Sequence, residues 1–241
     1  MDREQVFLQP AFVLHQRPYR NTSVIVDIFS KDHGRIALIA KGVKQKKSAL
    51  KSILQYFQPL NLSWMRRSDL GILTSAEFLH PMNSLQHENI YFGLYLNELL
   101  LRLLQPDEPM PDLFSAYADS LQHFDNASSN QIVLRLFEKQ LLQSLGYEIP
   151  IEFDANSGDK IDCSKFYEFI PQHGFIQSTK DSTRGPVFTG EHLIALAENR
   201  LDDPEVQKMT HRLMHINLKL LLGDEPMKSR ALFQAYKALE V

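Results

Sequence analysis

A chain of 241 residues with 44% hydrophobic and 23% charged residues carries enough apolar material for one large or two modest soluble domains. No run approaches the roughly 18 apolar residues of a membrane span. The segment Met1-Asp2-Arg3-Glu4-Gln5 opens no signal peptide, and the single cysteine, Cys163, excludes an internal disulfide and fits a reducing cytoplasm. The net charge of −3 is unevenly spread. Residues 1–80 hold twelve Lys/Arg against six Asp/Glu, a balance of +6, and the remainder holds fourteen against twenty-three, a balance of −9. A basic half points to an anionic partner, although segments of this length also differ by a few charges by chance.

The basic half reads as strands. Phe12 to Arg17 and Ser23 to Phe29 are rich in β-branched and aromatic residues, broken at Pro18 and Asn21. Lys31-Asp32-His33-Gly34 makes a turn into Arg35 to Ala40, with Gly34 free to take positive φ. Tyr56 to Trp64 and Leu70 to Leu79 flank Met65-Arg66-Arg67-Ser68-Asp69 as a second hairpin. Five short strands in about 80 residues predict a small closed barrel, since closure removes exposed edges. A domain of that size buries only about 60–65% of its unfolded surface, so it should lean on the rest of the chain.

Between the hairpins, Lys41-Gly42-Val43-Lys44-Gln45-Lys46-Lys47-Ser48-Ala49-Leu50-Lys51 holds five lysines and no acid. Mutual repulsion predicts an extended or mobile loop unless an anion sits among the ammonium groups. The plainer reading is a solvated loop. Arg66 and Arg67, with Tyr56, Phe57 and Trp64 on nearby strands, favour single-strand binding, in which charge tracks phosphates and rings stack on bases. Most of those rings are equally suited to a barrel core. The candidate DNA-binding residues are Arg35, Lys41, Lys44, Lys46, Lys47, Lys51, Arg66 and Arg67.

From Gln86 onward the pattern is helical. Glu88 to Leu104 is apolar nearly all round and predicts a central buried helix. After the break at Pro106 to Pro111, Asp112 caps a helix whose face is Leu113, Tyr117, Leu121 and Phe124. Ser128-Ser129-Asn130 precede a third helix, with Val133, Leu136, Phe137, Leu141 and Leu145 on its apolar side and Gly146 at its end. Residues 149–190 read as an irregular insertion carrying a short hairpin, Phe166 to Ile170 and Gly174 to Ser178. Asp203-Pro204-Glu205 starts the last long helix, which Gly223 closes. Its buried stripe is Val206, Met209, Leu213, Ile216 and Leu220, and Lys208, His211, Arg212, His215 and Lys219 cluster opposite. The expected fold class is therefore α+β in two domains: an OB-like barrel over residues 1–80, then a mainly helical domain over residues 81–241 with a loop-rich insertion.

Enzyme and metal signals are weak. His211 and His215 stand four apart, but no Glu follows His211 as a zincin requires. No G-x-S-x-G elbow and no phosphate loop occurs, so neither serine hydrolysis nor ATP hydrolysis is expected. Glu152, Asp154, Asp159 and Asp162 sit in a polar insertion, where solvation explains them better than a nuclease site. The chain is read as a non-enzyme with no cofactor.

Longer patterns carry a resemblance. Ala11-Phe12-Val13-Leu14-His15-Gln16-Arg17-Pro18-Tyr19, Asp27-Ile28-Phe29, Gly34-Arg35 and Ala40-Lys41-Gly42 are followed by Ser48-Ala49-Leu50-Lys51, Leu54-Gln55-Tyr56-Phe57-Gln58-Pro59-Leu60 and Ser75-Ala76-Glu77. Further on stand Gly93-Leu94-Tyr95-Leu96-Asn97-Glu98-Leu99-Leu100, Leu145-Gly146-Tyr147 and Lys228-Ser229-Arg230-Ala231-Leu232-Phe233. In this order they resemble the RecO family of bacterial recombination mediators along nearly the whole chain. The resemblance implies an amino-terminal OB barrel and a helical carboxy-terminal domain. It implies binding of single- and double-stranded DNA, annealing of complementary strands, and work with RecR to load RecA in the RecF pathway of DNA repair, in the cytoplasm at the nucleoid.

It also implies binding of the acidic, apolar-ended tail of single-stranded DNA-binding protein. For that ligand the candidates are Arg135, which matches an arginine of the family pattern, with Phe137 and Leu142 as pocket walls. Arg212 and Lys219, then Lys228 and Arg230, supply other cations. Some members of the family hold zinc with four cysteines in the insertion. Here it holds only Cys163, so the region reads as a degenerate zinc-finger-like segment without metal. The alternative to a DNA mediator is an RNA- or tRNA-binding OB module on a helical scaffold, since basic loops alone do not read the 2′-hydroxyl.

Overall fold

The computed structural model of the chain describes residues 4–80, 85–124, 127–182 and 185–239. Strands β1 (Glu4–Tyr19), β2 (Ser23–Ser30), β3 (Gly34–Ala40), β4 (Leu60–Arg66) and β5 (Leu70–Phe78) close into a barrel in the order β1-β2-β3-β5-β4. This is the OB arrangement expected above. β1 is long because it serves two partners: Ala11 to Tyr19 pairs with β2, and Glu4 to Ala11 pairs with β4. The parallel pair of β3 and β5, from Ala37 opposite Leu70 to Ile39 opposite Ile72, closes the ring. Its interior is filled by Val13, Val26, Ile28, Leu38, Leu60, Leu62 and Trp64, all fully buried.

β3 alternates buried and half-buried as a strand with one covered face should, but β2 is buried on both faces. The cause is a second layer. Phe12 and Phe29 point out of the barrel and meet Phe114 and Tyr117, with ring centroids 5.1–6.3 Å apart. Those partners belong to α3 (Pro111–Gln122), which follows α2 (Asn89–Leu103). Burying one such ring contributes about 1.5–3 kcal/mol, so this layer supplies much of what a small barrel lacks.

Adjacent residues of α2 fasten two neighbours. Asn97, buried, donates to the Leu14 carbonyl at 2.9 Å and accepts from the Tyr117 hydroxyl at 2.5 Å. Glu98 accepts from the backbone N–H groups of Lys228 and Ser229, at 2.8 Å each, and from the Ser229 hydroxyl at 2.6 Å. Its carboxylate thus sits at the positive end of α7 (Lys228–Leu239). Tyr91 and Phe92 then stack with Phe233 and Tyr236 at 5.0–5.9 Å. The two compact units consequently follow packing rather than chain order: residues 1–126 with 226–241 form one, and residues 127–225 the other. The boundary at residue 80 separates barrel strands from helices, but α2 and α3 pack on the barrel and α7 packs on α2.

The second unit contains α4 (Ala127–Ser144), the sheet β7-β6-β8 made of β6 (Phe166–Ile170), β7 (Gly174–Ser178) and β8 (Val187–Thr189), then α5 (Gly190–Ala197) and α6 (Pro204–Leu222). Gly146 at φ +79° ends α4, and Asp203 caps α6, accepting from Glu205 N–H at 2.7 Å. Asp112 does not cap α3: Pro111 takes the first helical position and Asp112 lies inside the first turn. On α6 the buried side drifts toward Thr210, Met214 and Leu218, which leaves Ile216 half-buried and Leu220 exposed. Helices that cross at an angle present a turning face to one another, and a fixed seven-residue stripe misses this.

The insertion has a core of its own. Phe169, Phe175 and Phe188 contact one another with centroids 5.0–6.4 Å apart. Asp154, buried, ties the preceding loop to β7: its carboxylate accepts from the N–H groups of Asn156 (2.8 Å), Ser157 (3.0 Å) and Gln177 (2.6 Å). Both oxygens are used in this way and Cys163 is exposed, so the residues present do not fit a zinc site. Among the described residues no three His, Cys, Asp or Glu side chains come together as metal ligands. Burial pushes the Asp154 carboxyl up, but the hydrogen bonds outweigh it and hold it below the usual carboxylate range. A depressed pKa stabilises the fold above the unfolded value of about 3.9, and that contribution disappears as pH falls through the folded value. Thermal melts from neutral pH down to about pH 3 should therefore show a loss of Tm that Asp154→Asn largely lacks. Parallel curves for the two proteins would refute this role.

Candidate nucleic-acid interface

The lysine-rich segment is a fixed loop. Val43 turns inward and is buried in the barrel core, so the residues around it are held at the surface. Gly42 at φ +74° makes the bend, and Lys44 N–H donates to the Thr22 carbonyl at 3.0 Å. Gln45 N–H donates to Gly42 and Ser48 N–H to Gln45, each at 3.1 Å, and α1 (Ala49–Ile53) follows. The segment is therefore turned and hydrogen-bonded where an extended chain was one of the expectations. One apolar side chain of the segment gains enough from the core, together with local turns, to offset lysine repulsion.

Lys41, Lys44, Lys46, Lys47 and Lys51 are all exposed, with no ion pair to a described residue. The bond from Lys44 to Thr22 brings the β1–β2 turn beside them. That turn adds Arg20, exposed at φ +50° and lying over the Tyr19 ring at 5.2 Å, and Arg17 is exposed on the strand leading to it. Arg17 and Arg20 were missed as candidates because only tertiary pairing makes them neighbours of the lysines. Their signal was the basic composition around Pro18.

The other candidate cations do not join this cluster. Arg35 donates from Nε to the Leu104 carbonyl at 3.1 Å, and its own carbonyl accepts from Asp107 N–H. Arg66 pairs with Glu4 and Asp107. Both fasten the barrel to the segment around Leu104 and Asp107, but only the charge of Arg66 is met by carboxylates. Arg67 is exposed, but because β5 runs parallel to β3 its loop lies at the opposite end from Lys41. From Arg35 to Lys41 along β3 is about 20 Å at ~3.3 Å per residue.

The rings are likewise structural. Trp64 is fully buried, with His33 edge-on at 5.2 Å. Phe57, at φ +64°, lies under Gly93, where an added Cβ would come within 2.7 Å of its ring. Tyr56 is half-buried; its hydroxyl accepts from Gln16 N–H at 3.1 Å, and burial pushes its phenol up. The core reading of these three rings holds, and no stacking platform forms from them. What remains is an exposed cationic surface, a kind suited to phosphates rather than to base edges.

The candidates for binding a partner tail belong to both compact units. Arg135 is buried, its guanidinium 2.9 Å from the carboxylate of the fully buried Glu138, and Phe137 is buried as well. Arg135 thus already faces a carboxylate of its own chain, and its Nε makes no hydrogen bond there. Leu142 does line a cavity of about 280 Å³, with Ile151, Leu196, Leu213 and Met214. Its cation is Lys139, which sequence analysis passed over. The Lys139 ammonium donates to the Leu196 carbonyl at 3.1 Å and to Asn199 Oδ1 at 2.7 Å, and burial lowers its pKa. Arg212 and Lys219 are exposed on α6, and Lys228 and Arg230 are exposed on α7 of the other unit.

Comparison with known proteins gives a consistent result. The family model for the recombination protein O N terminal matches residues 3–82, and that for the recombination protein O C terminal matches residues 85–231. A DNA repair protein RecO from Nitrosococcus oceani is 42% identical over 235 residues, covering 98% of this chain and 96% of that protein. One from Haemophilus influenzae is 42% identical over 227 residues, covering 94% and 95%. One from Coxiella burnetii is 39% identical over 231 residues, covering 95% and 98%.

Proposed function

The chain belongs to the recombination protein O family, and on that premise we propose that it is a non-enzymatic DNA-repair mediator that binds single strands on the barrel and anneals complementary ones. The observation that carries the proposal is the lysine loop fixed by Val43, with Arg17 and Arg20 beside it. Two strands repel through their phosphates. A preformed row of ammonium groups lowers that repulsion without gripping either base sequence, so pairing itself selects the partner. The energy of annealing comes from base pairing, and no nucleotide hydrolysis is needed.

In this reading the chain works in the cytoplasm at the nucleoid, with RecR, to load RecA on DNA coated by single-stranded DNA-binding protein. The apolar end of that protein's tail would seat in the apolar cavity at Leu142, whose wall also carries Lys139. Glu148 and Glu152 on its wall direct the acidic part of the tail away from them. Among the described residues no helix is long and apolar enough to cross a membrane. Both family models and the relatives named concern recombination and DNA repair, which leaves the RNA-module alternative without support.

The test is annealing of two labelled complementary DNA strands, run beside binding to a structured RNA and co-purification with RecR and single-stranded DNA-binding protein. Annealing should accelerate without nucleotide, both partners should be recovered, and the RNA should bind more weakly. No acceleration would overturn the annealing role, and tighter RNA binding would overturn DNA as the ligand.

A further inference from the structure

α6 carries a feature that neither the barrel loop nor the tail cavity uses. Lys208, His211, Arg212, His215 and Lys219 are all exposed and fall within about 100° of one another around the helix, at 100° per residue. Asp203 and Glu205 occupy the start of the helix, and from Val206 to Leu222 there is no acid. The histidine rings lie near parallel, with centroids 6.3 Å and planes 15° apart, and Arg212 lies over the Phe188 ring at 5.9 Å. Its length from Lys208 to Lys219 is about 16 Å at ~1.5 Å per residue.

We propose that this face of α6 is a second track for a nucleic-acid backbone, so that one chain holds two strands, one on each compact unit. The inference rests on the DNA reading above and extends it. A row of cations repeated along one helix face suits a ligand whose charge also repeats along its length, as a nucleic-acid backbone's does. An acidic peptide with an apolar end fits less well. The cavity that would seat such an end is lined by Leu213 and Met214, on the opposite side of α6 from the row. Annealing is the reaction that benefits, because a second strand held on the same chain meets the first at a high effective concentration.

The experiment compares the full chain with Lys208→Gln, Arg212→Gln and Lys219→Gln combined, and with a version carrying Glu at the same positions. All three side chains are exposed and only Arg212 covers a ring, so melting curves should move little, and the milder Gln version remains informative if the Glu version folds poorly. The probes are a short oligothymidine, titrated for stoichiometry, and a labelled complementary pair for annealing. Wild type should take up a second oligothymidine. The Gln variant should lose it, keep its first-site affinity within about twofold, and anneal at least about tenfold more slowly. Unchanged stoichiometry and annealing in both variants would overturn the α6 track. Loss of acidic-peptide binding with both DNA steps intact would overturn it also, and assign the face to a protein. If changing the barrel lysines as well leaves DNA binding intact, the DNA reading itself fails. If only the barrel change matters, the α6 proposal fails alone.

Discussion

Replacing Lys44, Lys46 and Lys47 together with Glu should weaken single-stranded DNA binding about 100-fold at ~0.1 M salt. Each phosphate neutralised on a single strand contributes about −0.7 to the log–log salt slope, which at ~0.1 M amounts to about fivefold in affinity. Three contacts multiply to the stated loss. Five lysines should give the wild-type chain a slope near about −3.5, and the triple variant should flatten it by about 2. All three side chains are exposed and Val43, which fixes the loop, is untouched, so stability should hold. Binding should also show little sequence preference, since Tyr56, Phe57 and Trp64 are engaged within the fold. A slope that stays steep in the triple variant would reduce the loop to ordinary solvated surface. Arg66→Ala is the contrasting case: Arg66 already pairs with Glu4 and Asp107, so its loss should lower stability and leave the slope alone.

The second large effect concerns Arg135. Its side chain is 8% exposed and that of its partner Glu138 is fully buried. Removing one member of such a pair leaves the other charge in a low-dielectric interior, which typically costs about 3–5 kcal/mol. Against a total stability of about 5–15 kcal/mol, Arg135→Ala should shift the urea midpoint strongly and populate unfolding of the 127–225 unit near physiological temperature. Weak binding of a tail peptide by this variant would then follow the loss of folded protein. At a temperature where the variant stays folded, peptide affinity should match wild type. An unchanged urea midpoint would show that the pair contributes little. A midpoint near wild type with peptide binding lost would return Arg135 to the binding site.

How much of this was legible without coordinates depended on how local each cause was. The five-strand barrel, the hairpin of Phe166–Ile170 with Gly174–Ser178, the cap at Asp203 and the stops at Gly146 and Gly223 follow from neighbouring residues, so periodicity and turn chemistry determined them. Exposure of the α6 cations followed from helical spacing in the same way. Even the Asn97-Glu98 and Lys228-Ser229 patterns stood out, although nothing in their composition says that one binds the other.

What each polar group does was decided by tertiary structure. Arg35, Arg66 and Arg135 look like any cation in the chain. Each is engaged by a partner distant in sequence or buried beside it: Leu104, Glu4 with Asp107, and Glu138. Lysine repulsion argued for a mobile loop until Val43 was seen to enter the core. Arg17 and Arg20 became part of the interface only because the Thr22 carbonyl accepts from Lys44. A barrel of this size buries too little surface to stand without cover, so the chain recruits α2 and α3 onto it and α7 onto α2. Where the cover lies decides which charges are spent within the fold and which remain for a ligand.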